Sequence, residues 1–151
     1  MRIALGSDHA GYGLKEKLKS YLVGRGYSVD DCGTNSTDSC DYPDFAHAVA
    51  TRVADHAAER GILVCGSGIG MAISANKTPG VRAANITSEV EAQLSREHND
   101  LNVLALGARL LGEEQAKKVV DVWLATAFAG GRHQRRVDKI TELEKEATNP
   151  V

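Results

Sequence analysis

Cys65 closes the apolar run Ile62-Leu63-Val64 and is followed at once by Gly66-Ser67-Gly68-Ile69-Gly70. Glycines in such a loop let successive backbone N–H groups face one point, and the positive end of a following helix favours an oxyanion or phosphate there. The same field, with the Ser67 hydroxyl as a donor, favours the thiolate form of Cys65 and makes it a candidate base or nucleophile. Two further loops carry groups suited to proton transfer. Asp8-His9 follows the short run Ile3 to Leu5, and His98-Asn99-Asp100 ends a polar helical segment before the run at 103–106. His9 and His98 sit in loops rather than on apolar faces, which reads as function. Asp8 could act as a helix cap from Ala10 onwards, but its adjacency to His9 keeps chemistry open.

The glycine loop is not a nucleotide signature. A dinucleotide fingerprint needs glycine where Met71 stands and an acidic residue where Thr87 and Ser88 stand, and the Gly-Lys-Ser/Thr ending of a P-loop is missing. The three cysteines, Cys32, Cys40 and Cys65, form no CxxC pair, so reduced thiols without zinc are expected. Cys32 and Cys40 lack a glycine loop and read as packing or surface residues.

These loops need a scaffold, and the hydrophobic pattern supplies one. Ile3 to Leu5 reads as a strand, followed by Leu14, Leu18, Tyr21 and Leu22 at helical spacing. The unit recurs as Tyr27 to Cys32 with Phe45 to Ala58, and as Ile62 to Cys65 with an Ala-rich helix. Val81 to Ile86 and Val103 to Leu106 supply two more strands, with helices around Val90 to Arg96 and Glu113 to Phe128. Asp44 is a candidate cap for the second helix, and Gly24 and Gly26 are candidate terminators of the first. The prediction is a three-layer α/β/α, Rossmann-like five-stranded parallel sheet with helices on both faces. Ligands of such sheets sit beyond the carboxyl ends of the strands, where Asp8, His9 and Cys65 fall, and strands one and three are expected to be neighbours. A polar tail helix at about 133–147 presents Val137, Ile140 and Leu143 as a narrow apolar stripe, which must lie against its own domain or a partner subunit.

Bulk properties narrow the function classes. The 151 residues match one domain, 1–151, and 42% hydrophobic residues suffice for a continuous core. A net charge of -2 provides no excess positive field for nucleic acid or acidic lipid. The opening MRIALGSDHAG is no secretory signal, and no stretch reaches transmembrane length, so a cytoplasmic protein without membrane or nucleic-acid partners is expected.

Five motifs, GSDHAG at 6–11, DYPDFA at 41–46, ILVCGSGIGMAISANK at 62–77, SREHNDLNVLALGAR at 95–109 and GGRHQRRV at 130–137, resemble type B ribose-5-phosphate isomerases, a family that includes galactose-6-phosphate isomerase subunits. The resemblance runs through nearly the whole chain in the same order. It implies a homodimer with shared active sites, in some members paired to a tetramer, acting on a small sugar phosphate without metal or organic cofactor. It implies that His98 opens the sugar ring with help from Asp8. Cys65 then moves a proton between C1 and C2 through an enediolate, while the amides of Gly66, Gly68, Ile69 and Gly70 hold the oxyanion. Ser67 stands where a hydroxyl residue, commonly Thr, shuttles protons between the two oxygens. Phosphate recognition falls to His9, Arg132 and Arg136, with Arg109 as a further candidate, and Tyr42 and Asn99 match substrate contacts, Tyr42 from across the dimer. A branch of the family uses a glutamate beyond the glycine loop in place of the cysteine. Here 71–75 holds no carboxylate, so the cysteine branch is implied. The segment Ala84-Asn85-Ile86 departs from the more apolar residues or Cys of relatives.

The leading expectation is therefore aldose-ketose isomerisation of ribose 5-phosphate to ribulose 5-phosphate, a step of the pentose phosphate pathway. The nearest alternative keeps the chemistry on a six-carbon substrate such as allose 6-phosphate or galactose 6-phosphate. A non-catalytic sugar-phosphate or nucleotide binder has no use for a poised thiol, and a thiol redox protein would need a resolving cysteine beside Cys65.

Overall fold

Alternation along the central strands decides which helices lie on which face. The computed structural model describes residues 1–148. In β1 (Arg2–Ser7), β3 (Arg60–Cys65) and β5 (Val103–Gly107), the side chains of Ile3, Leu5, Ile62, Val64, Leu104 and Leu106 enter one core. Ala4, Leu63, Cys65, Val103 and Ala105 enter the other, as a period of two requires. The first core is closed by α1 (Tyr12–Gly24), α4 (Glu89–Asn99) and α5 (Glu113–Ala125), with Trp123 fully buried in it. The second is closed by α2 (Tyr42–Ala54) and α3 (Ile69–Ala75). With β2 (Ser28–Asp31) and β4 (Ala83–Asn85) at its edges, the sheet runs β2-β1-β3-β5-β4, every pairing parallel. The Rossmann-like expectation and the β1–β3 adjacency both hold.

Several boundaries differ from the sequence reading for local reasons. The second helix starts at Tyr42 because Pro43 suits a first helical turn. Its cap position is Asp41 rather than Asp44, and neither residue makes a side-chain capping bond. It ends at Ala54, where the chain turns and His56 takes φ 59°. The fifth helix stops at Ala125, since Thr126 is extended and the following loop is tied down by the Ala129 N–H to the Glu97 carbonyl. The tail forms α6 (Arg132–Thr148), one residue longer at each end than expected. Val137 is buried, whereas Ile140 and Leu143 of the same stripe remain exposed, Leu143 at 64%. No described helix is long and apolar enough to cross a membrane.

One feature had no signal in the hydrophobic pattern. Lys15 is fully buried, its Nζ donating to both oxygens of Asp31 at 2.8 and 3.0 Å and to the Thr34 carbonyl at 2.7 Å. Lys19 adds a bond to Asp31 at 3.1 Å, and the Gly33 amide donates to it at 2.9 Å. Burial alone would raise the Asp31 carboxyl, but Lys15, the Gly33 amide and Lys19 together hold it below the usual carboxylate range. A carboxyl whose folded value is depressed contributes stability above its unfolded value, and that contribution disappears as pH falls through the folded value. Urea denaturation of Asp31→Asn at pH 7 is expected to show a loss of at most about 3–5 kcal/mol, because buried Lys15 then keeps only the half-exposed Glu16 carboxylate, 3.2 Å away, as counter-charge. The wild type should lose stability steeply below about pH 4, and the variant less steeply.

Candidate active site

Asp8 follows β1 and Cys65 ends β3, and the pairing of Ser7 with Val64 sets them side by side at the carboxyl edge. The Asp8 amide extends the ladder by donating to the Val64 carbonyl at 3.2 Å, and Oδ1 accepts from the Gly11 amide at 3.0 Å. One oxygen of this buried carboxylate therefore does act as a cap for the turn into α1. Cys65 is 5% exposed, and its Sγ accepts the Gly68 N–H at 3.1 Å. Such a donor is accepted better by a thiolate than by a thiol. Gly68 can point its amide at the sulfur because it sits at φ 82°, in the left-handed region, with its back against the Leu106 carbonyl.

The loop after β5 braces this cradle. Ala108 N–H donates to the Cys65 carbonyl at 2.8 Å and Arg109 N–H to the Gly66 carbonyl at 3.0 Å. The Arg109 guanidinium lies against Gly66, where an added methyl would stand 3.2 Å from Nη1. Ser67 Oγ accepts the Ile69 N–H at 3.3 Å. Tyr42 stands at the start of α2 with its ring against Gly70 of its own chain, so close that a methyl there would fall 2.5 Å away. Tyr42 thus belongs to the same half of the site as Cys65, a correction to the expectation that it reaches in from a partner.

His9 joins this edge with a defined ring orientation. Its Nδ1 accepts the Cys40 amide at 3.2 Å, so in the neutral ring Nε2 carries the proton and is the donor. Cys40, read from sequence as an inert packing or surface residue, is therefore part of the support, with its Sγ 3.9 Å from the same nitrogen. The contact spans 31 residues of chain and leaves no trace in local pattern.

The third loop does not converge on the other two within one chain. The helix α4 runs back against the strand direction, so His98 and Asn99 in its last turn lie at the amino edge, where β5 begins. There Asn102 accepts from the Gly61 amide, whereas Cys65 pairs with Gly107 at the other end of the same strands. Four residues of strand separate the two edges by roughly 13 Å. The reason is architectural: the end of a helix preceding a strand and the end of that strand lie on opposite edges of a parallel sheet.

The amino edge has its own constellation. Gly130 and Gly131, at φ 66° and 54°, turn the chain into α6, whose first residues are Arg132 and His133 with Arg136 one turn on. The His98 ring stacks on His133 with centroids 4.3 Å apart and 13° between planes. Burial of the His133 ring, and behind it the charges of His98, Arg132 and Arg136, push His133 below the usual histidine range. This stacking residue was missed, although it stands inside the motif GGRHQRRV. Among the described residues no three His, Cys, Asp or Glu side chains gather as metal ligands.

Known proteins resemble the chain over nearly its whole length. The model of the Ribose/Galactose Isomerase family matches residues 3–140. The chain is 49% identical over 144 residues to ribose-5-phosphate isomerase B of Escherichia coli K12, covering 95% of this chain and 97% of that one. The solved structure of ribose-5-phosphate isomerase B from Clostridium thermocellum superposes with a TM-score of 0.97 at 51% identity, covering 97% of this chain and 99% of that one. The Mycoplasma genitalium enzyme, solved with ribulose 5-phosphate bound, superposes at 0.93 with 44% identity, covering 96% and 97% of the two chains.

Gly68→Ala tests the cradle. A side chain there is strained by the positive φ and meets the Leu106 carbonyl carbon at 3.1 Å, so the amide is turned away from Cys65. The expected result is a folded protein by circular dichroism with the alkylation rate of Cys65 by iodoacetamide reduced, since thiolate is the reactive form.

Proposed function

The chain belongs to the ribose/galactose isomerase family, and on that premise we propose that it interconverts ribose 5-phosphate and ribulose 5-phosphate at sites each assembled from two copies of the chain. The observation that carries the reading is the Cys65 sulfur, held by the Gly68 amide at the same sheet edge as Asp8. The six-carbon alternative is not favoured, since the relatives above are named for the five-carbon reaction.

In the proposed reaction His98 of the partner subunit, helped by Asp8 through the oxygen not engaged by Gly11, moves the protons that open the furanose ring. Cys65 thiolate then takes the proton from C2, leaving an enediolate, and returns it to C1. Ser67 carries the O2 proton to O1, so the aldose becomes the ketose with no net loss of protons or electrons. Gly66, Gly68, Ile69 and Gly70 surround the oxyanion, where donors fixed in advance contribute most to rate. The phosphate is taken by Arg132 and Arg136 of the partner subunit, by the Nε2 proton of His9 and by Arg109, whose planar forks match phosphate oxygens. Tyr42 and the partner subunit's Asn99 contact the sugar. No metal or organic cofactor enters this scheme, because an enediolate needs only a base and preorganised donors.

The assembly is supported by two features of one chain. Cys65, Ser67 and Asp8 lie at one edge of the sheet and His98 at the other, too far apart to share a small substrate. Apolar surface also lies open beside it: Leu94, Ile140 and Leu143 line a groove of about 810 Å³ between α4, β4 and α6, and Ile69 and Ile73 stand exposed on α3. A second copy covering this surface gains the burial that α6 lacks alone. The whole chain acts as one domain, α6 serving the partner, in a cytoplasm whose reducing conditions keep Cys65 free.

Metal-free protein should convert ribose 5-phosphate to ribulose 5-phosphate in preference to six-carbon sugar phosphates, and Cys65→Ala should lose about 10²–10⁴-fold in kcat. Shared sites make a sharper forecast. Cys65→Ala and His98→Ala are each inactive alone, but mixed by unfolding and refolding they should regain about a quarter of wild-type turnover, because half the dimers then carry one intact site. Recovery of no activity from the mixture, with both variants dimeric by light scattering, would show the sites to be unshared.

A further inference from the structure

Beneath the amino edge lies a second, polar pocket of about 310 Å³, separate from the residues of the proposed reaction. Arg60, Arg82 and Arg96 all line it, with Asp100, Asn102, Glu59 and His56. Arg96 is only 6% exposed. Asp100 is fully engaged: Oδ1 accepts from Arg96 at 2.9 Å and Oδ2 from Arg82 at 3.3 Å. Arg60 has no carboxylate within ion-pairing reach among the described residues. Its Nη1 donates to the Trp123 carbonyl at 2.7 Å, and its guanidinium lies 5.2 Å over the Trp123 ring. That leaves most of its five N–H donors unspent, and Arg96 uses Nε and Nη1 on Thr126, Asp100 and Leu101 but not Nη2.

We infer that this pocket binds a small phosphate-type oxyanion, held by the spare N–H donors of Arg60 and Arg96. Both guanidiniums line one pocket with donors to spare, and a tetrahedral oxyanion is the partner whose geometry suits two forks at once. Burial first, and then the charge of Arg96, lower Arg60 to about 10, although Asp100 and Glu59 act in the opposite direction. Little else in the wall competes for these donors. The carbonyls of Thr51, Arg52 and Val53 at the end of α2 are occupied by the amides of residues 55–58, and Glu59 lies exposed at the rim. Free phosphate and the phosphate of a small monoester share this chemistry, and 310 Å³ accommodates either.

The test is calorimetric titration at low salt of the full chain with inorganic phosphate and, separately, with glycerol 3-phosphate. An Arg132→Ala/Arg136→Ala variant blinds the proposed substrate site, so binding that persists in it reports this pocket alone. In that background Arg60→Met, which keeps the stacking stem, should weaken binding at least about tenfold. Ala54→Glu, which keeps both arginines and places a carboxylate in the pocket wall, should abolish binding. Isomerase turnover of Arg60→Met on its own should match the wild type. Binding of phosphate but not the monoester identifies a free-ion site, and binding of both a site for phosphorylated metabolites. The inference is overturned if the blinded variant binds neither ligand, or if Ala54→Glu binds as well as its parent. Should Arg60→Met not fold, Ala54→Glu decides alone.

Discussion

The parallel pairing of β1 with β3 is the contact on which the candidate site depends. Chain connection alone would put β2 or β4 beside β3; instead β1 lies there, and the Asp8 amide carries the ladder one residue past the strand. A shift of one residue would turn Cys65 from the α2/α3 face to the opposite one, because side chains alternate along a strand. Register is pinned by the unlike demands of the two cores, large aliphatics toward α1 and α5, small residues toward α2 and α3. The sulfur thus inherits its position from packing two strands wide.

A buried ion pair carries this order outward to the edge of the sheet. Lys15 and Asp31 hold the Gly33 and Thr34 backbone, which in turn exchanges hydrogen bonds with Ser7 at 2.6 and 2.7 Å. The loop that leaves this clasp returns at Cys40 to fix the His9 ring. Charge burial of this kind is costly, and here it is offset by hydrogen bonds that also fix the path of the loop backbone. The same logic recurs at the amino edge, where Arg82 and Arg96 grip Asp100 as it takes the left-handed cap position two residues after His98. Each edge of the sheet is thus backed by its own charge network.

The distance between the halves follows from the architecture. A helix leading into a parallel strand must end at that strand's beginning, so residues in its last turn cannot reach the strand's carboxyl end in the same subunit. His98 and Cys65 therefore describe complementary edges of one building block. The unburied stripe of α6 and the exposed side chains of α3 and α4 leave apolar surface open on the same chain.

Much of this was legible from residue order. The alternation of apolar runs and helical spacing determined a parallel five-stranded sheet, and the glycine loop after Cys65 marked the turn at the end of β3, since both rest on interactions among residues near in sequence. Helix limits were read to within a few residues, missing where Pro43, His56 and Thr126 altered the backbone locally. What only the tertiary structure decided are the contacts made across long chain separations: the Lys15–Asp31 clasp, the Cys40 support of His9, the stacking of His133 on His98, and the placing of Tyr42 with Cys65 but of His98 away from it. Pattern reports which side chains seek burial and which local turns are strained. It carries no information on which distant backbone amide meets a given ring, because that is settled by how the helices pack over the sheet.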